Sequence, residues 1–374
     1  MRWSGRIGQV AGIDIYVHWT FWLLILWLLG VHLIHGQTVQ TALEGVGLIL
    51  AVFACVVLHE LGHALAARRF GIQTKDITIL PIGGVARLER MPEEPVQELW
   101  VALAGPMVNL LLAAGIFVVL ALAFSWASIT DMRLLGGNFL TKLMVINVSL
   151  AIFNLLPAFP MDGGRVVRAL LASRFDYAQA TQWAATLGQA MAFLFGAVGL
   201  LVGNFWLLFI ALFVYLGAQQ EAYAVQIRSV LRGVPVRSAM ITQFRTLSAD
   251  DPLQRALEEL ISGYQQDFPV LQGEQLVGLL TRSDVLRALS EGRREARVGD
   301  LMRHICQVVE DLDMLETTYQ RMQEGQCPVL PVLRAGSLVG LITLENIAEW
   351  MMIQSALASG RKTRSGWQNT FGWQ

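Results

Sequence analysis

Apolar runs long enough to cross the roughly 30 Å hydrocarbon core of a bilayer lie near residues 18–35, 45–69, 96–124, 140–158, 183–203 and 205–223. They predict about six transmembrane helices, the last two meeting at a tight turn, Gly203-Asn204. Between the second and third runs, QTKDITILPIGGVARLER (73–90) is too short and too punctuated to span. Its apolar Ile77, Ile79, Leu80, Val85 and Leu88 around Gly83-Gly84 predict a β-hairpin at or dipping into the membrane surface. Beyond Ala224 the pattern changes and repeats itself. Ala239-Met240 recurs as Leu301-Met302, Phe268-Pro269-Val270 as Leu330-Pro331-Val332, and LVGLLTRSD (276–284) as LVGLITLEN (338–346), all at one constant offset. Two short apolar strands between helical stretches in each copy predict two α/β units packed as a pair.

The expected fold class is an α-helical polytopic membrane protein with a short membrane-associated β-hairpin, followed by an α/β tandem domain. The expected divisions are a transmembrane domain at 1–224, a linker at 225–235, paired units at 236–289 and 298–354, and a disordered tail at 355–374. In that tail Trp367, Phe371 and Trp373 beside Arg361, Lys362 and Arg364 could touch lipid headgroups.

Composition agrees with this division. Of 374 residues, 54% are hydrophobic and 15% charged, with a mean hydropathy of +0.50, which excludes an ordinary soluble enzyme. Up to Ala224 the chain carries 12 Lys and Arg against 12 Asp and Glu, and the shorter remainder carries 16 against 17. A net charge of −1 gives no electrostatic case for nucleic acid. Cys55, Cys306 and Cys327 show neither a disulfide framework nor zinc-finger spacing, so reduced thiols are expected. The first apolar run lacks an A-x-A cleavage site and reads as a retained helix. Arg2 and Arg6, then Arg68, Arg69, Lys75, Arg87 and Arg90, then Arg165, Arg168 and Arg174, then Arg228, Arg232 and Arg237 fall on one side of the six-span arrangement. Only Arg133 and Lys142 fall on the other. Cytoplasmic loops carry the Lys and Arg excess, so a multi-pass cell-membrane protein with both termini cytoplasmic is expected. Trp19, Trp22, Trp100, Trp126 and Trp183 sit near span ends, as interfacial aromatics do.

The second run contains HELGH, His59 to His63. Residues four apart share a helix face, so both imidazoles can point at one metal, with Glu60 beside them to take a proton from the attacking water. The bland alternative is a polar helix face satisfied by its neighbours. It is expensive here, because each ionisable residue at bilayer depth costs roughly 2.5–3.5 kcal/mol on insertion scales. A catalytic zinc wants a third protein ligand and an open position. Asp162, in NLLPAFPMDGGR (154–165), is the candidate, reaching a similar depth by an inward-running span; on its own it would read as a turn residue before Gly163-Gly164.

HELGH, GPMVN (105–109) and NLLPAFPMDGGR, in this order, resemble the site-2 protease family of intramembrane zinc metalloproteases over about residues 1–224. The resemblance implies one zinc per chain held by His59, His63 and Asp162, with Glu60 as catalytic base. It implies that Asn154 stabilises the reacting carbonyl and that Asn109 contacts substrate, a membrane-tethered protein. Regulated intramembrane proteolysis is the expected activity. Two departures stand out. The stretch from Gln73 to Glu98 leaves no room for the PDZ domain many relatives carry. Phe159 stands where many relatives have proline, as in the branch with C-terminal regulatory domains.

The repeat resembles a tandem CBS pair, which implies adenine nucleotide, ATP or AMP, between the two units. The ribose pattern, a Thr followed three residues on by Asp, is met by Thr281 and Asp284. In the second unit Thr343 fits and Asn346 replaces the acid, a weaker acceptor. A structural or homodimerising module without ligand is the other reading. A CBS-gated membrane transporter or channel is the alternative from another class, and it leaves the order of the three motifs unexplained.

Overall fold

The computed structural model describes residues 3–36, 38–81, 83–89, 92–123, 138–304, 307–325 and 327–370. Arg2, Arg90, Trp126, Arg133, Cys306, Phe371 and Trp373 lie outside them. The chain divides into Met1–Val225 and Gln226–Gln374.

In the first unit, strands β1 (Ser4–Val10) and β2 (Ile13–His18) precede helices α1 (Trp19–Ile34) and α2 (Val39–Arg69). Strands β3 (Thr74–Leu80) and β4 (Gly83–Leu88) follow, then helices α3 (Pro95–Ala123), α4 (Phe139–Asn154), α5 (Asp162–Ala172), α6 (Tyr177–Val202) and α7 (Phe205–Leu231), the last of which ends past the division at Val225. Among the described residues four helices are long and apolar enough to cross a membrane: Val39–Arg69, Pro95–Leu122, Tyr177–Val202 and Phe205–Leu231. The other two apolar runs expected to span, α1 and α4, are apolar but shorter: at 16 residues each they rise about 24 Å at about 1.5 Å per residue. Trp19, Trp22, Trp100 and Trp183 are all exposed.

The 73–90 segment does form two antiparallel strands, but not alone. They belong to a four-stranded sheet ordered β1-β2-β3-β4, in which β2 pairs β3 in parallel from Asp14↔Asp76 to Val17↔Ile79. Gly83 and Gly84 open β4 instead of making the turn. Along β2 the residues alternate buried and half-buried, and Ile13 and Ile77 pack with Leu61 and Ala64 of α2. That alternation sets the sheet against the helix carrying HELGH, and leaves β4 as an edge strand.

In the second unit, β5 (Leu247–Ser248), α8 (Leu253–Ser262), β6 (Asp267–Gln272), β7 (Gln275–Thr281) and α9 (Arg282–Ser290) form the first repeat. After a short helix, α10 (Val298–Leu301), the second repeat runs through β8 (Val309–Glu310), α11 (Leu315–Gly325), β9 (Val329–Arg334), β10 (Ser337–Thr343) and α12 (Leu344–Thr370). Each sheet has three strands, ordered β5-β6-β7 and β10-β9-β8. The repeats exchange arms: Ile241 pairs with Leu341 and Arg303 with Leu279. Helix α12 continues to Thr370, into the segment expected to be disordered, and Cys327 is disulfide-bonded where a reduced thiol was expected. Cys55 is free and buried.

Candidate metal centre

HELGH lies in α2, and its four-residue spacing brings the two imidazoles together at 4.7 Å between ring centroids. Their Nε2 atoms stand 3.1 Å apart. The Nδ1–H of His63 donates to the Val101 carbonyl of α3 at 2.7 Å, which turns its Nε2 lone pair inward. The third member arrives from the other end of the sequence motif. Helix α4 stops at Asn154, the chain turns through buried Ala158, Phe159 and Met161, and α5 begins at Asp162. Irregular backbone at membrane depth is tolerated where it is buried in protein. Asp162 is thus the first residue of a helix, not a turn residue. Gly163 in that first turn has no room for a side chain: a Cβ would come within 2.2 Å of the Leu156 carbonyl.

Asp162 Oδ2 lies 3.2 Å from His59 Nε2 and 3.1 Å from His63 Nε2. The three residues are buried, and their ligand atoms all lie within 4.8 Å of one another. Two ligands of a tetrahedral zinc at about 2.0–2.1 Å stand about 3.3 Å apart. The spacing and the N,N,O donor set fit zinc. Helix α3 leaves space for it: a Cβ on Gly105 would meet His63 Nε2 at 2.2 Å and His59 Nε2 at 2.6 Å.

A cavity of about 430 Å³ opens on this cluster, with Glu60, Asn109, Asn154 and Arg165 in its wall and β4 along one side. Glu60 Oε2 accepts the backbone N–H of Ala86 at 3.2 Å. Asn109 is 1% exposed and its Oδ1 has no hydrogen-bond partner. The structure therefore gathers His59, His63, Asp162, Glu60, Asn109 and Asn154 around one space. Sequence reasoning missed Arg165, whose Nη1 is 3.6 Å from Asp162 Oδ1. It also gave no role to Val101 or Gly105; GPMVN was the signal for the second, and nothing in a sequence marks a carbonyl.

The nucleotide candidates belong to the second unit. Thr281 and Asp284 form a reciprocal cap on α9. Arg303 binds the Asp284 carboxylate through Nε at 2.9 Å and Nη2 at 2.7 Å. Burial works to raise the pKa of Asp284, but hydrogen bonds from Arg303 and Thr281 more than offset it and hold the carboxyl below its usual range. In the second repeat Thr343 Oγ1 donates to Asn346 Oδ1 at 2.6 Å. The counterpart of Arg303 in the register of the repeat is Ile241.

Comparison with known proteins agrees with the site. The model of Peptidase family M50 matches residues 47–195, and the CBS domain model matches 236–291 and 298–353. A zinc metalloprotease of Methanocaldococcus jannaschii is 30% identical over 353 residues, covering 94% of this chain and 97% of the relative. The solved site-2 protease from Methanocaldococcus jannaschii is 36% identical, with a TM-score of 0.44, over 59% of this chain and 95% of that one. The solved CBSX2 in complex with AMP is 26% identical, with a TM-score of 0.30, over 33% of this chain and 99% of that one. With its three inward-facing ligand atoms and a neighbouring carboxylate on HELGH, the chain belongs to peptidase family M50, the site-2-type zinc metalloproteases, and carries a tandem pair of CBS domains.

Proposed function

We propose that the protein hydrolyses peptide bonds within or near transmembrane segments of membrane-tethered proteins, as regulated intramembrane proteolysis. The observation that carries this reading is the meeting of Asp162 with His59 and His63 beside Glu60, the last three on a helix long and apolar enough to cross a bilayer. His59, His63 and Asp162 hold the metal. When bound, zinc supplies Lewis acidity, polarising the scissile carbonyl and acidifying a water molecule. Glu60 takes the proton of the attacking water on its carboxylate and delivers it to the leaving amine. Asn154 donates to the reacting carbonyl oxygen, and Asn109 contacts the substrate chain. Co-expression with candidate single-span proteins tests the activity: a precursor accumulates with Glu60→Gln and is processed by the unaltered chain. Equal processing by both sinks the proposal.

A transmembrane helix hides its peptide bonds in internal hydrogen bonds, so substrate must unwind before cleavage. The free edge of β4 can hold the unwound segment by strand addition. The Ala86 amide points to that edge, because it reaches Glu60. Ala86→Pro removes this donor, and Val85→Pro, whose amide faces β3 by strand alternation, unpairs β4 from its neighbour. Either variant keeps its zinc and loses cleavage by roughly 10–100-fold, the worth of a hydrogen bond to a charged group at about 1.5–3 kcal/mol. Normal turnover by both removes β4 from the mechanism.

The Lys and Arg distribution supports a six-span arrangement with both termini cytoplasmic, in which α1 and α4 are short membrane helices. The CBS pair then binds ATP or AMP through Thr281 and Asp284, more weakly through Thr343 and Asn346, and modulates cleavage; it is also the surface for a homodimer. A ligand shifts an equilibrium only by its differential affinity for two states, and a coupling of roughly 1–3 kcal/mol is expected. In calorimetry on the full-length chain, Asp284→Ala weakens nucleotide binding and Asn346→Ala matters less. No heat from either nucleotide at millimolar concentration would make the module structural.

A further inference from the structure

The sequence pattern puts Arg168 among the positive charges outside the membrane spans. The structure buries its side chain completely, with Glu98 2% and Glu221 33% exposed beside it. Its Nε donates to Glu98 Oε1 at 2.7 Å and its Nη1 to Glu221 Oε1 at 2.6 Å. The guanidinium carbon also lies 5.0 Å from the ring centroid of Phe159 and 5.1 Å from that of Tyr177. Such a cluster is a poor way to stabilise a fold. Replacing a buried ion pair by well-packed apolar residues is often neutral or stabilising, and here Glu98 Oε2 is left without a hydrogen-bond partner. What a forked, planar guanidinium held on two sides does provide is a fixed orientation.

The three partners come from three helices. Arg168 is on α5, two turns into the helix that Asp162 begins; Glu98 is on α3, and Glu221 on α7. Helix α3 also supplies Val101, Gly105 and Asn109 to the metal centre. Glu98, Val101, Gly105 and Asn109 follow spacings of three, four and four, so they share one helical face. That face touches the histidines of α2 at one level and Arg168 of α5 at the other. It registers one ligand-bearing helix against the other. Helix α5 has only 11 residues, and side chains reach about 5–6 Å from a helix axis. A roll of about 10° therefore moves the Asp162 carboxylate by about 1 Å, beyond the roughly 0.5 Å a productive site tolerates.

We infer that Arg168 is a positioning residue of the metal centre: clamped between Glu98 and Glu221, it sets the roll of α5 and so where Asp162 meets His59 and His63. This rests on the reading of those three residues as zinc ligands. The test uses the full-length protein in detergent with zinc alone as probe, measuring affinity by chelator competition, the visible bands of the cobalt-substituted form, and the unfolding temperature. Arg168→Lys keeps the charge and loses the fork. It is expected to lower zinc affinity by about 10–100-fold, as substitutions behind metal ligands do, and to shift the cobalt bands. Glu221→Gln, at the partly exposed partner, gives a smaller loss in the same direction and decides the matter if the first variant does not fold. Unchanged affinity and unchanged bands in the folded variants, with or without a lower unfolding temperature, overturn the proposal and leave the cluster purely structural. Zinc bound as tightly by Asp162→Ala as by the unaltered chain would instead overturn the ligand assignment.

Discussion

Glu60→Gln leaves the zinc content and the fold of the protein unchanged and lowers cleavage by about 10²–10⁴-fold, the range for loss of a general base. The amide is nearly isosteric with the carboxylate and is not among the three atoms that converge on the metal site. It can no longer take the proton of the attacking water. The local geometry survives in part, because the amide oxygen can still accept the Ala86 N–H that now reaches Glu60 Oε2 at 3.2 Å. Metal analysis beside a cleavage assay on the same preparation checks the result. Activity near that of the unaltered protein would show that another group is the base.

Asp162→Ala acts one step earlier. It removes one of three ligand atoms and leaves two imidazole nitrogens 3.1 Å apart, an underfilled site for a metal that takes three protein ligands in catalytic centres. Zinc affinity should fall by more than about 100-fold, the upper range for substitutions that act only behind the ligands, and cleavage should be lost with it. Full occupancy together with full activity would place the third ligand elsewhere. The two variants thus differ in a measurable way, metal retained in one and lost in the other.

The residues legible in the sequence were those whose chemistry is local. HELGH announces itself because four-residue spacing on a helix is enough to converge two imidazoles, and the expense of burying them at membrane depth argues for a cation. The C-terminal repeat was legible because both copies bury the same positions. The N-terminal strands were not. Ile13, Ile15 and Val17 do alternate, but over one short strand running straight into an apolar helix, and the partner that stabilises them, β3, lies beyond two whole helices. Gly83-Gly84 suggested a turn, whereas the glycines begin the edge strand beside Glu60. Arg168 looked like a loop charge, because nothing local shows that Glu98 and Glu221 come to it from separate helices. The Val101 carbonyl, which orients His63, belongs to the backbone and has no letter of its own.

The parallel pairing of β2 with β3 imposes a parity on the membrane domain. The chain leaves the sheet at His18, runs through α1 and α2, and rejoins the same sheet at Thr74. The number of bilayer crossings between those two points is therefore even, whichever face the sheet occupies. A crossing by α2 has to be matched by one in α1, whose 16 residues are a few ångströms short of the hydrocarbon thickness. The bilayer beside α1 must then thin, or its flanking residues be drawn inward. The sheet acts as a buckle closed only after both helices are in place. A fusion that dragged the N-terminus to the opposite face would undo β2 from β3, and leave β3, the one strand paired with the edge strand that holds Glu60, exposed along its other side.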